Sequence, residues 1–189
     1  IGTAAVPNYE SLVKFIPEKD LWPINDMWNL HYFGQMAFNA GPERHTAVIE
    51  NSYGGAKDAK EFCMKSQWVS YESNKALYEG WLDHMWNDAT GVMLWMSGAS
   101  YPSMVWQTYD YYYDLTGAYF GCKQACEPVH IYWNPVTEEV KVANTTTKDY
   151  DGLTAEATVY NMDGKPVARY SEKATINYTS NAAPQCFKL

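Results

Sequence analysis

Apolar side chains recur every three or four residues between positions 56 and 88, the spacing that places them along one face of a helix. Glu61 and Lys65 stand four residues apart and can form an ion pair on such a helix. Gly54 and Gly55 precede the pattern, and turn-forming residues 87–91 follow it. The sequence therefore predicts one long helix here, with these apolar positions: Phe62, Val69, Leu77, Trp81 and Met85.

The next segment, residues 91–96, is a short apolar run between turn signals, apolar on both faces. This pattern is typical of a buried parallel strand. After Pro102 a second helical pattern passes through Trp106, Tyr109 and Tyr113, is interrupted near Gly117 and resumes to residue 126. The order of loop, helix, buried strand, loop and helix predicts successive β/α units of a parallel sheet or barrel.

The first 55 residues are divided by prolines, at positions 7, 17, 23 and 42. Proline ends helices, so this stretch is expected to hold only short helical pieces, for example residues 9–15, joined by ordered loop. Long ordered loops inside a compact protein usually carry function. We therefore expect functional side chains in this region.

The pattern changes near Pro128, after which short runs rich in Val, Thr and Asn alternate with turns. Residues 153–160 alternate with period 2, so one face of that strand is predicted to be buried and the other solvated. The strand candidates are residues 130–133, 139–143, 153–160 and 167–170, and the predicted turns are Asn134-Pro135, Asp151-Gly152 and Asp163-Gly164. This predicts an antiparallel sandwich and two domains, residues 1–127 and 128–189.

Composition narrows the classes of partner. The chain has 189 residues, a net charge of −8 and no stretch rich in Lys and Arg, so nucleic acid is not an expected partner. No apolar run approaches the roughly 20 residues of a membrane helix, so a membrane is not expected either. The 8 Trp, 16 Tyr and 6 Phe are more informative, because so many rings suit either a large core or platforms for sugars.

The four cysteines are expected to be free buried thiols rather than a disulfide framework. Cys122, Cys126 and His130 have a spacing that would place three metal ligands on one helical face. Pro128 argues against this zinc site, because the residue before a proline leaves helical geometry. We expect neither a metal nor another cofactor.

Candidate catalytic groups are carboxylates and aromatic rings. Glu10, Glu50, Asp110 and Asp114 lie in the first part of the chain, but sequence alone pairs none of them as an acid and a base. No phosphate-binding glycine loop and no Gly-x-Ser-x-Gly elbow is present.

Four aromatic residues are candidates for sugar contact. Trp95 ends the predicted buried strand and Tyr101 follows in the next loop, where barrel enzymes place their sites. Trp95 has two interpretations, a sugar platform or a ring that fills the barrel mouth. Trp28 and His31 lie in the long first loop, where a ring either binds ligand or anchors the loop.

Three sequence runs resemble family 2 of the glycoside hydrolases. Gly91-Val-Met-Leu-Trp-Met, then Tyr101-Pro-Ser, then the run from Trp106 to Tyr112 are similar to that family's eighth barrel strand and following helix. The run from Gly117 to His130 continues the similarity, which covers most of residues 1–165. The branch it resembles contains exo-β-D-glucosaminidases and mannosylglycoprotein endo-β-mannosidases. Asn144-Thr-Thr and the run from Tyr160 to Gly164 resemble the start of the family's immunoglobulin-like domain.

The resemblance implies a retaining mechanism on a (β/α)8 TIM barrel, with a glutamate nucleophile after strand seven and a glutamate acid/base after strand four. The family's nucleophile lies just before a segment like residues 1–12, so both catalytic glutamates are expected upstream of Ile1. Glu10 matches a helix start and is not a substitute. Carried over onto this chain, Trp95 and Tyr101 would lie beside the reacting sugar, with Trp28 and His31 as further substrate contacts.

The substrate follows from two absences within the resemblance. The Asn-x-Lys clamp of β-glucuronidases and the Trp-Asp-Trp of β-galactosidases do not occur at the matching positions. The resemblance, and only the resemblance, therefore favours a β-mannoside or β-glucosaminide.

The resulting hypothesis is a fragment of a retaining β-glycosidase, inactive alone. A complete barrel takes about 250 residues and an immunoglobulin-type sandwich about 100, so the chain is expected to hold the last part of a barrel and the first strands of an incomplete sandwich. Its partners would be a β-linked oligosaccharide or glycoconjugate and the remainder of the parent enzyme. The alternatives are a non-catalytic carbohydrate-binding or structural module and a small self-contained α+β protein.

Overall fold

The computed structural model describes residues 4–33 and 42–182. These residues form two compact units: the first comes from residues 4–33, 42–77 and 93–124, and the second from residues 78–92 and 125–182. Residues 78–92 thus group with the C-terminal part, which a single boundary after residue 127 does not anticipate. The assignment of the two portions to barrel and sandwich domains stays a prediction.

The described helices are short at the N-terminus and longer afterwards. Asn25 caps the second helix, its Oδ1 accepting the Met27 N–H at 2.9 Å. Prolines at positions 7, 17 and 23 separate the first pieces, which confirms the prediction of short helices joined by loop. The helices are α1 (Tyr9–Leu12), a 3-10 turn (Glu18–Asp20), α2 (Asp26–Leu30), α3 (Pro42–Tyr53), α4 (Ala59–Asp83) and α5 (Gly117–Ala125).

The long helix predicted for residues 56–88 is confirmed as α4, with narrower bounds. Asp58 precedes it and accepts the Glu61 N–H on Oδ1 at 2.8 Å, which satisfies one of the free donors of the first turn. Gly54 and Gly55 have φ angles of 73° and 76°, so the chain turns there before the helix begins. The predicted pair of Glu61 and Lys65 is formed, at 2.9 Å.

The core of the first unit is aromatic. Trp28, Phe33 and Phe62 are almost completely buried, and the ring centroids of Trp28 lie 5.6 Å and 5.7 Å from those of Phe33 and Phe62. Aliphatic residues from the N-terminal segment and the helices surround these rings. The other members of the cluster are Ala4, Val6, Leu12, Ile16, Ile49, Ala59, Cys63, Val69 and Met104.

The apolar run at residues 91–96 is not a strand, contrary to the prediction. Met93 and Trp95 are 87% and 64% exposed, and the Met96 N–H donates to the Trp106 carbonyl at 2.6 Å as a loop contact. A buried parallel strand needs hydrogen-bonding neighbours on its edges, and no named strand of the described residues pairs with this run. The expected parallel β/α units are therefore not formed within the described residues.

The helical pattern through Trp106, Tyr109 and Tyr113 is also not a helix. Trp106 and Tyr113 have φ angles of 37° and 63°, which a helix does not contain. The carboxylate of Asp110 accepts the N–H groups of Tyr112 and Asp114 at 2.8 and 2.9 Å, so a side chain replaces helical backbone partners. The predicted resumption after residue 117 is confirmed as α5.

Helices α4 and α5 approach closely at two glycines. A Cβ at Gly117 would overlap the carbonyl oxygen of Gln67, and one at Gly121 would overlap that of Tyr71. The side chain of Gln67 accepts the Gly117 N–H at 2.8 Å, which fixes the start of α5 against α4. The absence of side chains at these positions is therefore a packing requirement.

The second unit contains two antiparallel sheets. One has the order β1 (Val129–Asn134), β2 (Glu139–Asn144), β5 (Ser180–Ala182), and the other pairs β3 (Tyr150–Tyr160) with β4 (Pro166–Ile176). Val142, Ala155 and Ile176 form the core that these strands share. All four predicted strands are present, and β5 is an addition.

The predicted turns have different outcomes. Gly164, with a φ of 74°, lies in the turn between β3 and β4 as expected. Asp151 and Gly152 instead lie inside β3, where the register shifts between positions 150 and 153. Gly152 has a φ of 69°, so the pair forms a bulge and not a turn.

Polar contacts tie the end of α4 to the three-stranded sheet. His130 Nε2 lies 2.8 Å from Glu79 Oε1, with both side chains largely buried, and Lys141 lies 2.7 Å from Asp83. Burial raises the pKa of Asp83, but hydrogen bonds from Lys141 and its neighbours outweigh burial and hold that pKa below its usual value. Tyr132 also donates to Asp83, at 3.2 Å.

Free cysteines and metal-binding residues do not form a site in the described ranges. Cys63 is buried, Cys126 is exposed and Cys186 lies outside the described residues. Within residues 4–33 and 42–182, no three His, Cys, Asp or Glu side chains group as metal ligands. None of the helices described is both long and apolar enough to cross a membrane.

Gly121→Ala should destabilise the protein, because the new methyl group meets the Tyr71 carbonyl. Overpacking of this kind costs about 1–3 kcal/mol. Gly80→Ala is the matched control, since Gly80 lies in α4 with no atom within 4 Å of the added Cβ, and it should stabilise by about 0.5–1 kcal/mol. Urea denaturation of the two variants checks this, and an equal effect of both would contradict the packing account.

His45 should make stability dependent on pH. Burial lowers the pKa of His45 from 6.5 to about 4, so the folded state releases a proton that the unfolded state binds. Neutral His45 makes its full contribution to the free energy of unfolding above pH 6.5. About 3 kcal/mol of that free energy is lost as the pH falls towards 4. His45→Gln keeps a polar group near Ser66, whose Oγ lies 3.0 Å from His45 Nε2. Chemical denaturation at pH 7 and pH 4 should show a smaller loss for the variant, and equal losses would refute the assignment.

Candidate active site rim

His31 is joined to the loop that carries Tyr101. Its Nδ1 lies 2.7 Å from the Pro102 carbonyl oxygen, and its own carbonyl accepts the Met104 N–H at 2.9 Å. A carbonyl only accepts hydrogen bonds, so Nδ1 of His31 carries the proton in this contact. The Phe15 ring packs on the imidazole with 4.6 Å between centroids. His31 and the loop of Tyr101 therefore form one ordered structure.

Trp106 joins Trp95 to the same region. The Trp106 carbonyl accepts the Met96 N–H, and the Trp106 ring meets that of Tyr32 edge-on at 5.8 Å. Tyr32 and Trp106 both have positive φ angles, 67° and 37°. Such conformations persist only when surrounding contacts hold them, and they cluster at functional sites.

These contacts define an aromatic rim, which consists of His31, Tyr32, Trp95, Tyr101 and Trp106. Trp95 and Tyr101 are the exposed members, with 64% and 43% of their surfaces accessible. The other three are half-buried. An exposed ring on a fixed base can cover the apolar C–H face of a sugar while neighbouring polar groups take its hydroxyls.

Trp28 does not belong to this rim. It is fully buried, and its indole N–H donates to the Asp20 carbonyl at 3.1 Å. Its rings pack on Phe33 and Phe62 in the core. A substrate contact by Trp28 is therefore not supported, because no part of the side chain is accessible.

The candidate carboxylates serve other contacts or lie in solvent. Asp110 caps its own turn, and Asp114 accepts the side-chain N–H of Asn8 at 2.8 Å. Glu10 and Glu50 are exposed, on α1 and α3. The structure thus gives none of these four the arrangement of an acid and base facing a sugar.

Sequence reasoning missed Tyr32 and the role of Trp106. The helical spacing of Trp106 with Tyr109 and Tyr113 assigned it to a core face, and Tyr32 followed a loop histidine without a pattern of its own. Both depend on backbone conformations that spacing does not encode. Only the proximity of His31 in sequence pointed to Tyr32.

Curated relatives identify the family. The chain is 32% identical over 140 residues to mannosylglycoprotein endo-β-mannosidase of Lilium longiflorum, a match that covers 74% of this chain and 14% of the relative. It is 36% identical over 132 residues to exo-β-D-glucosaminidase of Amycolatopsis orientalis, covering 68% and 12%. The chain belongs to glycoside hydrolase family 2. A scan of protein-family models finds no match.

Solved structures support the fold of this family member. The crystal structure of Amycolatopsis orientalis exo-chitosanase CsxA matches 98% of the chain with a TM-score of 0.83 and 23% identity. The β-D-mannosidase from Dictyoglomus thermophilum matches all of it, with a TM-score of 0.82 and 22% identity. The chain covers 23% of each of these proteins. The family 2 chain thus shares the fold of a part of larger enzymes.

The two tryptophans should differ sharply in their effect on stability. Trp28→Ala removes a buried aromatic side chain and should cost about 3–5 kcal/mol. Trp95→Ala removes an exposed ring and should change the free energy of unfolding by less than about 0.5 kcal/mol. Thermal unfolding followed by circular dichroism measures both, and a large loss in Trp95→Ala would show that Trp95 is a packing residue.

Proposed function

We propose that this chain is part of a retaining β-glycosidase that hydrolyses O-glycosidic bonds, with a β-mannoside or β-glucosaminide as substrate. In this proposal residues 1–127 are the last part of a (β/α)8 barrel and residues 128–189 begin an immunoglobulin-like sandwich. The observation that carries it is the aromatic rim, with Trp95 and Tyr101 exposed on an ordered base. The relatives support the substrate class, because they are named for mannoside and glucosaminide activities.

Each rim residue has a distinct role in this proposal. Trp95 and Tyr101 cover the apolar faces of the sugar next to the cleaved bond. His31 holds the loop of Tyr101 through its contact with Pro102, and its other ring nitrogen remains for a sugar hydroxyl. Tyr32 and Trp106 fix the base of the rim.

Catalysis requires two groups beyond the rim. A retaining enzyme places two carboxyl groups about 5–5.5 Å apart across the bond, one as nucleophile and one as acid and base. Family resemblance assigns these to glutamates outside the 189 residues, and the carboxylates of Asp110 and Asp114 are engaged in their turn. The chain therefore contributes binding groups and no hydrolytic activity of its own.

A second candidate function is a carbohydrate-binding module without catalysis. Exposed rings without a facing pair of carboxylates favour it, since such a surface binds a sugar and leaves it intact. The two proposals differ in what restores activity. If the chain is part of a larger enzyme, adding the part of the barrel that carries the glutamates should produce hydrolytic activity. If the chain is a binding module, the same addition should produce none.

The isolated chain should bind oligosaccharides and release no nitrophenol from nitrophenyl β-mannoside or β-glucosaminide. Trp95→Ala should abolish the saturable change in tryptophan fluorescence that manno- or glucosamine oligosaccharides produce, because the reporting ring is lost. Trp68→Ala is the control, an exposed tryptophan of α4 that lies outside the rim. Turnover by the isolated chain would refute the proposal that the catalytic glutamates lie outside it. Equal binding of oligosaccharide by the Trp95→Ala and Trp68→Ala variants would refute the proposal that the rim binds sugar.

A further inference from the structure

We propose that a pocket next to the rim is a second sugar position, in which a pyranose donates a hydrogen bond to the carboxylate of Asp110. This inference rests on the proposed carbohydrate function. The pocket has a volume of about 470 Å³, within the size range of small-ligand sites. It is lined by Ser97, Gly98, Ala99, Tyr109, Asp110, Tyr111 and Tyr113.

Asp110, one of the residues that line this pocket, has an unused acceptor. The residue is only 4% exposed, and its Oδ1 accepts two backbone N–H groups. Its Oδ2 is buried and accepts no hydrogen bond from the described residues. A buried carboxylate oxygen without a donor is unfavourable, and a carboxylate can only accept. A partner for this oxygen must be a hydrogen-bond donor, and the hydroxyl or ammonium group of a sugar is one.

The base of the pocket is ordered by backbone contacts. The Ser97 carbonyl accepts the N–H groups of Thr108 and Tyr109 at 3.0 and 2.8 Å and the Thr108 hydroxyl at 2.9 Å. Gly98 pairs with Tyr109 in a single parallel bridge. These bonds hold the two segments of the lining at a fixed separation, so a ligand meets a preformed floor.

Two tyrosines form the adjustable part of the lining. Tyr111 is 45% exposed and Tyr113 is 87% exposed, with a φ of 63°. Oδ2 of Asp110 has almost no accessible surface, so a ligand reaches it when part of the lining moves aside. Tyr113 is the most exposed ring there. Both rings also offer faces on which a pyranose can stack.

The position of the pocket indicates which sugar unit it takes. Ser97 of the lining follows the exposed Trp95 by two residues, so the pocket and the rim share one chain segment. A β-linked oligosaccharide on Trp95 would extend into it. The pocket therefore selects chains of two or more units over single sugars.

Titration calorimetry of the full chain with mono-, di- and trisaccharides of glucosamine and of mannose tests this inference. Asp110→Asn keeps the Oδ1 acceptor of the turn and replaces Oδ2 with a donor, so affinity should fall about tenfold or more. Asp114→Asn removes the same charge in the same turn outside the pocket lining and should leave affinity unchanged. Tyr113→Ala should weaken binding of trisaccharides more than that of monosaccharides.

The outcomes separate this inference from the proposed function. If the wild type binds and Asp110→Asn binds equally, the pocket is not a sugar position, although the rim stands. If Asp110→Asn and Asp114→Asn weaken binding alike, the loss of one negative charge anywhere in the turn explains the effect, and the inference is wrong. If the wild type binds no oligosaccharide, both proposals fail. Loss confined to glucosamine oligomers identifies the donor as ammonium, and loss for both sugars identifies it as hydroxyl; either result supports the pocket.

Discussion

Much of the first unit depends on how the buried segment at residues 4–6 satisfies its backbone. Ala4, Ala5 and Val6 are buried, and a buried carbonyl without a donor is costly. Three side chains supply the donors: Ser70 bonds the Ala4 carbonyl, Gln107 that of Ala5 and Gln67 that of Val6. Side-chain donors from α4 and from the loop after Trp95 thus replace a continuous strand ladder.

One of these donors, Gln107, also fixes the loop that follows Tyr101. The side-chain amide of Gln107 also donates to the Ser103 carbonyl at 2.8 Å. The backbone carbonyl of Gln107 accepts the Thr116 hydroxyl at 3.1 Å. Val105 pairs with Ala4 in an isolated bridge. The loop between Tyr101 and α5 is therefore fixed to the N-terminal segment at several points. Tyr101, at the start of this loop, is exposed beside a segment that these bonds fix.

Sequence patterns predicted the elements whose conformation is determined by residues close together in the chain. Helix α4 followed from apolar spacing, and the strands after Pro128 followed from alternation and turns, because neighbouring residues determine both. Residues 91–96 and 106–113 were predicted wrongly, because their conformation depends on distant partners and on the Asp110 side chain. Trp28 failed as a site residue for a similar reason, since a loop tryptophan looks the same in sequence whether it faces solvent or the core. His31 and Trp95, which position in the chain and family resemblance both suggested as sugar contacts, stay predictions.

The most direct test of a sugar rim is a titration of the isotopically labelled chain that follows the indole N–H resonance of each tryptophan. Trp95 is 64% exposed on the rim, Trp28 is buried, and Trp68 is 56% exposed on α4. The account predicts that a glucosamine or mannose oligosaccharide shifts the Trp95 resonance saturably and leaves those of Trp28 and Trp68 in place. Saturable shifts at Trp68 with none at Trp95 would contradict it.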